Sequence, residues 1–146
     1  MGYKYRFGFS PSDFERKRKI EAMKITEHFT WEEAKCKDGT EVPEDLRGNV
    51  ISVASNIETL RKALGGVPIN VHSWYRTKSY NAKIGGALNS QHLQGKAVDI
   101  STKEFTPLEI KNTIEELIKD GKMNEGGIGL YKTFVHYDIR GIKARW

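Results

Sequence analysis

The segment SQHLQGKAVDI, Ser90 to Ile100, sets His92 seven positions before Asp99. Imidazole nitrogen and carboxylate oxygen are donors that hold zinc. Asp99 stands inside the apolar run Ala97–Ile100, where an ionised carboxylate is costly unless paired or ligated. Gly95 permits a sharp turn that brings His92 back toward it. A third donor is offered by FVHYDIR, Phe134 to Arg140. In extended chain His136, Asp138 and Arg140 share one face with Phe134, while Val135, Tyr137 and Ile139 share the other. His92, Asp99 and His136 together would form a three-ligand set with a fourth position open, the arrangement of catalytic rather than structural zinc. Each residue alone has a plainer reading. His92 reads as a surface-loop histidine, Asp99 as the partner of one of 24 Lys and Arg residues, and the polar row of FVHYDIR as a solvated face. That last reading fails if the strand is central, because a central strand buries both faces.

The elements that must position these groups are legible from capping and periodicity. Ser10 and Pro11 read as the cap and first position of a helix. TWEE, Thr30 to Glu33, has capping-box spacing and predicts a short helix ending near Gly39. Val50, Val53, Ala54, Ile57, Leu60 and Leu64 recur at helical spacing between Gly48 and Leu64, and Gly65-Gly66 stops that helix. PINVHSW, Pro68 to Trp74, reads as a strand, and the stretch that follows to His92 as a long, irregular and therefore functional loop. Ala97–Ser101 reads as a strand. Thr106–Gly121 reads as a helix with a Thr106/Glu109 capping box, burying Ile110, Ile114, Leu117 and Ile118. A final strand is expected from Leu130 to Arg140. The fold class is α+β: a small antiparallel sheet with packed helices.

At 146 residues the chain suits one domain with a real core. Its 38% hydrophobic content and mean hydropathy of −0.59 are those of a globular protein. No apolar run approaches the length of a membrane helix, so no membrane-spanning helix is expected. Cys36 is the single cysteine, which excludes an internal disulfide and a thiolate zinc site. It reads as a spectator within a short helix. His28 and His72 read as structural or exposed. The net charge of +5 favours a polyanionic surrounding, with ERKRK (Glu15 to Lys19) as its densest cluster. Nucleic acid, an anionic membrane surface and the bacterial wall all qualify on charge, but no nucleic-acid-binding motif accompanies it.

The residues SWYRTKSYN, GGALNSQHLQGKAVDI, GGIGLYKTFVHYDIRG and ARW, with EHFTWEEAKCKDGTEVPEDLRGNV upstream, resemble the M15 peptidases. These are zinc D-Ala-D-Ala carboxypeptidases and related phage or bacterial peptidoglycan endopeptidases, with a zinc fold shared with hedgehog signalling domains. The resemblance covers residues 24–146 and leaves 1–23 as an extension of one peptidase domain. It implies a Zn²⁺ ion held by His92, Asp99 and His136. It implies that Arg76 steadies a substrate carbonyl or carboxylate and the developing oxyanion, with Ser90 giving a supporting hydrogen bond to the site on the substrate side. Tyr75, with Trp74, Tyr80 and Tyr131, flanks these motifs as a candidate to line a substrate groove, although aromatics so placed more often pack in the core and rank below the ionisable set. Many relatives carry a Glu or Asp three residues before the last histidine, where this chain has Thr133. Asp138 is the substitute general base, passing a proton to the leaving amine; its competing roles are to orient a histidine or to pair with Arg140. The expected substrate is the stem peptide of bacterial peptidoglycan, cut by a monomer without nucleic acid or membrane. Endopeptidase and carboxypeptidase branches stay open. A protein made in the cytoplasm without a signal peptide and released by a phage is the expected setting. The alternative is an inactive, zinc-stabilised wall-binding or phage structural module.

Overall fold

The computed structural model describes residues 12–146. Helix α1 spans Asp13–Met23, with the Ser12 hydroxyl accepting from Glu15 N–H at 3.1 Å. The expected cap Ser10 and first position Pro11 lie outside the described residues. No residue of α1 is buried, in keeping with its lack of an apolar stripe.

Helix α2, Trp31–Ala34, has the expected capping box, Thr30 with Glu33. It ends well before Gly39, because the chain turns at Lys35 into a loop closed by Cys36 N–H to Thr40 O at 2.9 Å. Cys36 therefore sits beyond the helix, buried, with Thr77 N–H directed at its sulfur at 3.5 Å. Helix α3, Arg47–Ala63, buries Val50, Val53, Ala54, Ile57 and Leu60 as the periodicity requires. Strand β1 is Asn70–Ser73, shorter than expected. The stretch after it is partly ordered into α4, Lys78–Lys83, and a 3₁₀ turn, Gln91–Gln94. Strand β2 is Ala97–Ser101, and α5 is Pro107–Lys119 behind the expected Thr106/Glu109 box.

The single strand expected over Leu130–Arg140 is two strands. β3 is Gly127–Leu130 and β4 is Val135–Asp138, joined by a turn that Tyr131 N–H closes onto Phe134 O at 3.1 Å. The alternation of side chains runs through this turn without a glycine or proline to mark it. A short β5, Ala144–Arg145, completes a five-stranded sheet in the order β1-β2-β4-β3-β5. Neighbours are antiparallel except β3 and β5, which run parallel, so the sheet is mixed rather than purely antiparallel.

β4 is central, and both of its faces are buried. Val98, Ile100, Ile128, Val135 and Tyr137 belong to the core that α3 and α5 cover. A buried polar knot ties the layers. Tyr137 donates to Asn124 O at 2.7 Å, and Asn56 on α3 exchanges hydrogen bonds with Asn124. The opposite face of the sheet carries a different row. Ser73 pairs with Asp99, Asp99 with His136, and His136 with Gly129, so four strands present these residues side by side.

Candidate metal centre and catalytic cavity

His92 reaches this row from the 3₁₀ turn. Ser90 caps the turn, its hydroxyl accepting from His92 N–H at 3.2 Å. Gly95 ends it in the left-handed conformation, φ +67°, with Val50 close where a side chain would stand. The turn is docked by Arg76 N–H to His92 O at 3.0 Å.

The hydrogen bonds fix both imidazoles. His92 Nδ1 must donate to the Trp74 carbonyl at 2.6 Å, because a carbonyl only accepts. Its Nε2 then faces Asp99 Oδ1 at 3.1 Å. His136 Nε2 donates to Asp138 Oδ2 at 2.7 Å, which turns its Nδ1 onto the same Asp99 oxygen at 3.0 Å. In the neutral rings those facing nitrogens are lone pairs, and so three acceptors converge on one point. The donor atoms of His92, Asp99 and His136 all lie within 4.8 Å of one another, and all three residues are buried. Such a focus requires positive charge, either protons on the rings or one cation shared by all three. A two-imidazole, one-carboxylate set, with ring N–H groups anchored behind it, fits zinc.

Burial opposes the charge of Asp99, but with protons on the rings the hydrogen bonds from His136 and His92 outweigh it and hold the carboxyl well below its usual range. Burial likewise opposes a charged His136, and the flanking Asp138 and Asp99 overcome it and raise its pKa. Asp138 is also held low: burial opposes its charge, and the bonds from His136 and Arg140 prevail.

The centre opens into a cavity of about 660 Å³ lined by Arg76, Ser90, Tyr131, Phe134, Arg140 and Trp146 among others. Arg76 is held on three sides, by Ser73 Oγ at 3.0 Å, Asn81 Oδ1 at 3.2 Å and Asp99 Oδ2 at 3.2 Å. A guanidinium so fixed presents charge to a ligand without first having to be ordered. Asn81, buried and bonded to Ala87 O at 2.8 Å, anchors that clamp.

Asp138 is placed differently from the expected base. It is fully buried and lies behind His136, away from the cavity lining. Its Oδ1 accepts from Gly127 N–H, Arg140 N–H and Arg140 Nε, and its Oδ2 from His136 and Arg140 Nη2. No lone pair is left to take a proton from water, and the geometry speaks for the competing role of orienting His136. Tyr75 is also corrected. It is buried in the core with Trp74, outside the cavity, because Tyr75 follows the end of β1 and turns inward beside α2. Tyr80 packs on the core, and of the groove candidates Tyr131 alone lines the cavity. His28 bonds Glu58 and His72 bonds Ser101, both apart from the centre.

Sequence reasoning passed over Trp146, Phe134 and Asn81, and the purpose of the glycines in GGIG. A side chain at Gly127 would collide with the Asp138 carboxylate, and one at Gly129 would meet Trp146 Nε1 at 2.5 Å. Glycine inside a strand is the signal for such close approach.

A family model described as Peptidase M15 matches residues 24–138. The chain is 35% identical over 54 residues to a zinc D-Ala-D-Ala carboxypeptidase of Streptomyces albus G, covering 37% of this chain and 21% of that protein. It is 33% identical over 103 residues to the probable peptidoglycan L,D-endopeptidase MepK of Haemophilus influenzae, covering 66% of this chain and 52% of that protein. It thus spans about a fifth and about half of the length of these two relatives. With most of the chain matched, and the donor row of β2 and β4 inside the matched span, the protein belongs to the Peptidase M15 family.

Proposed function

We propose that this protein is a zinc-dependent peptidase that hydrolyses peptide bonds in the stem peptides of bacterial peptidoglycan. The convergence of His92, Asp99 and His136 at the floor of an open cavity, with Arg76 fixed beside them, carries this reading. The names of the two relatives, one a carboxypeptidase and one a peptidoglycan endopeptidase, support it.

His92, Asp99 and His136 would hold the ion, each oriented by the contacts behind it. Bound zinc polarises a carbonyl and lowers the pKa of water. Arg76 binds the substrate carbonyl or carboxylate and balances negative charge growing on oxygen. Asp138, with Arg140 and Gly127 behind it, keeps the His136 ring in the tautomer that points Nδ1 inward. The net charge of +5 suits an anionic wall.

Zinc-loaded protein should release peptide fragments from purified muropeptides, read by mass spectrometry, and clear suspended cell walls in a turbidity assay. The fragments identify the bond, separating the endopeptidase from the carboxypeptidase. Zinc binding without cleavage of walls from any source would replace this reading with that of a wall-binding module.

A further inference from the structure

With Asp138 withdrawn behind His136, the charged donors in the cavity lining are Arg76, and Arg140, which is tied to Asp138. Among the described residues lining the cavity, Asp99 is the sole side-chain carboxylate, and its oxygens face the two histidines and Arg76. Ser90 Oγ accepts from His92 N–H, which ties that hydroxyl to the 3₁₀ turn on the His92 side of the cavity. The lining holds one phenol, Tyr131, on the wall beyond His136.

That phenol is held with care. Its ring stacks on Phe134, centroids 4.4 Å apart and planes at 8°. Trp146 Nε1 lies 2.9 Å from its oxygen. Indole nitrogen only donates, so the phenol oxygen accepts, and the tyrosine's own O–H remains for another acceptor. Trp146 is itself fixed. Its backbone N–H and C=O pair with Ile128 and Leu130 at 3.1 and 2.8 Å, and its ring lies over Gly129, centroid 5.0 Å from that of His136. Along the row Ser73–Asp99–His136–Gly129, the guanidinium of Arg76 stands at the first end and the Trp146–Tyr131 pair at the last. A peptide laid over the centre therefore meets a donor from each side.

We propose that Tyr131 is a catalytic residue whose O–H donates a hydrogen bond to the scissile carbonyl oxygen as negative charge grows on it, and that Trp146 aims it. No proton need be transferred, since the bond strengthens as the oxygen becomes more basic. The proposal rests on the peptidase reading above.

Tyr131→Phe keeps the ring and its stacking, and removes only the donor. With zinc content equal to the parent, kcat should fall about 10²- to 10³-fold, as when an oxyanion donor is lost elsewhere, with KM nearly unchanged. A phosphinate pseudopeptide, which mimics the tetrahedral centre, should bind the variant more weakly by a comparable factor, while the product peptide binds equally well. Trp146→Phe should lose less, and the double variant should be no worse than Tyr131→Phe alone, because the indole acts through the phenol. Parental kcat in Tyr131→Phe, a loss confined to KM, unchanged phosphinate binding, or additive losses in the double variant would each overturn the assignment. A parent that cleaves no stem peptide and binds the phosphinate no better than product overturns the peptidase reading and the tyrosine with it. A parent that cleaves alongside an equally active Tyr131→Phe overturns the tyrosine alone.

Discussion

At the scale of single residues, one imidazole is fixed by a backbone carbonyl and the other by a carboxylate, and they should respond differently to mutation. His92→Ala and His136→Ala each remove a donor, and elemental analysis of the purified variants should show the metal lost. Thr133→Ala, in the turn before β4, should keep it. Asp138→Asn keeps the shape but removes the charge behind His136. If Asp138 orients the ring, zinc affinity falls about 10- to 100-fold while kcat at saturating zinc is largely retained; a base would show the opposite split. The convergence of the three donors was legible because His92 and Asp99 share one short segment and a carboxylate in an apolar run is conspicuous. The choice between the two roles read for Asp138 was not, because its burial depends on Gly127, eleven residues away on another strand. Tyr75 misled by adjacency: it neighbours Arg76 in sequence but points into the core while the arginine points out.

At the scale of elements, the β3 glycines and the β5 attachment are the sensitive points. Gly127→Ala drives a methyl into the Asp138 carboxylate and should cost about 1–3 kcal/mol in urea unfolding, typical of overpacking, with weaker zinc binding alongside. β5 is tied down by Arg145, which pairs with Glu115 on α5 at 2.9 Å and with Glu125 at 3.0 Å. The Arg145 bond holds Glu115 below the usual carboxylate range, and for Glu125 it outweighs the opposing burial. Folded values below unfolded ones mean that this stabilisation is complete above about pH 4.3, the ordinary carboxylate value, and fades as pH falls through the folded values. Hydrogen exchange should show the Leu130 amide, bonded to Trp146 O at 2.8 Å, losing protection on acidification. Arg145→Met should remove that dependence. The helices were readable from caps and periodicity, since those signals are local. The β3–β4 turn and the parallel β5 were not, since both are set by partners distant in sequence.

At the scale of the whole molecule, the sheet is a partition: α3 and α5 cover one face, and the donor row occupies the other. A metal held there binds the native chain far better than the unfolded one. At free zinc a thousandfold above its Kd, the gain is about 4 kcal/mol, so a chelator should lower the melting temperature and added zinc restore it. The charge reading was the least informative, because +5 spread along the chain selects no partner by itself. The separation of the donors has a kinetic consequence. Asp99 and His136 are 37 residues apart with α5 and β3 between them, whereas His92 lies seven from Asp99. The complete cage therefore exists only after β2 has found β4, a long-range step that loop-closure entropy makes late. A metal bound there would arrive as a latch rather than a template, lengthening the lifetime of the finished fold while leaving the speed of its formation nearly untouched.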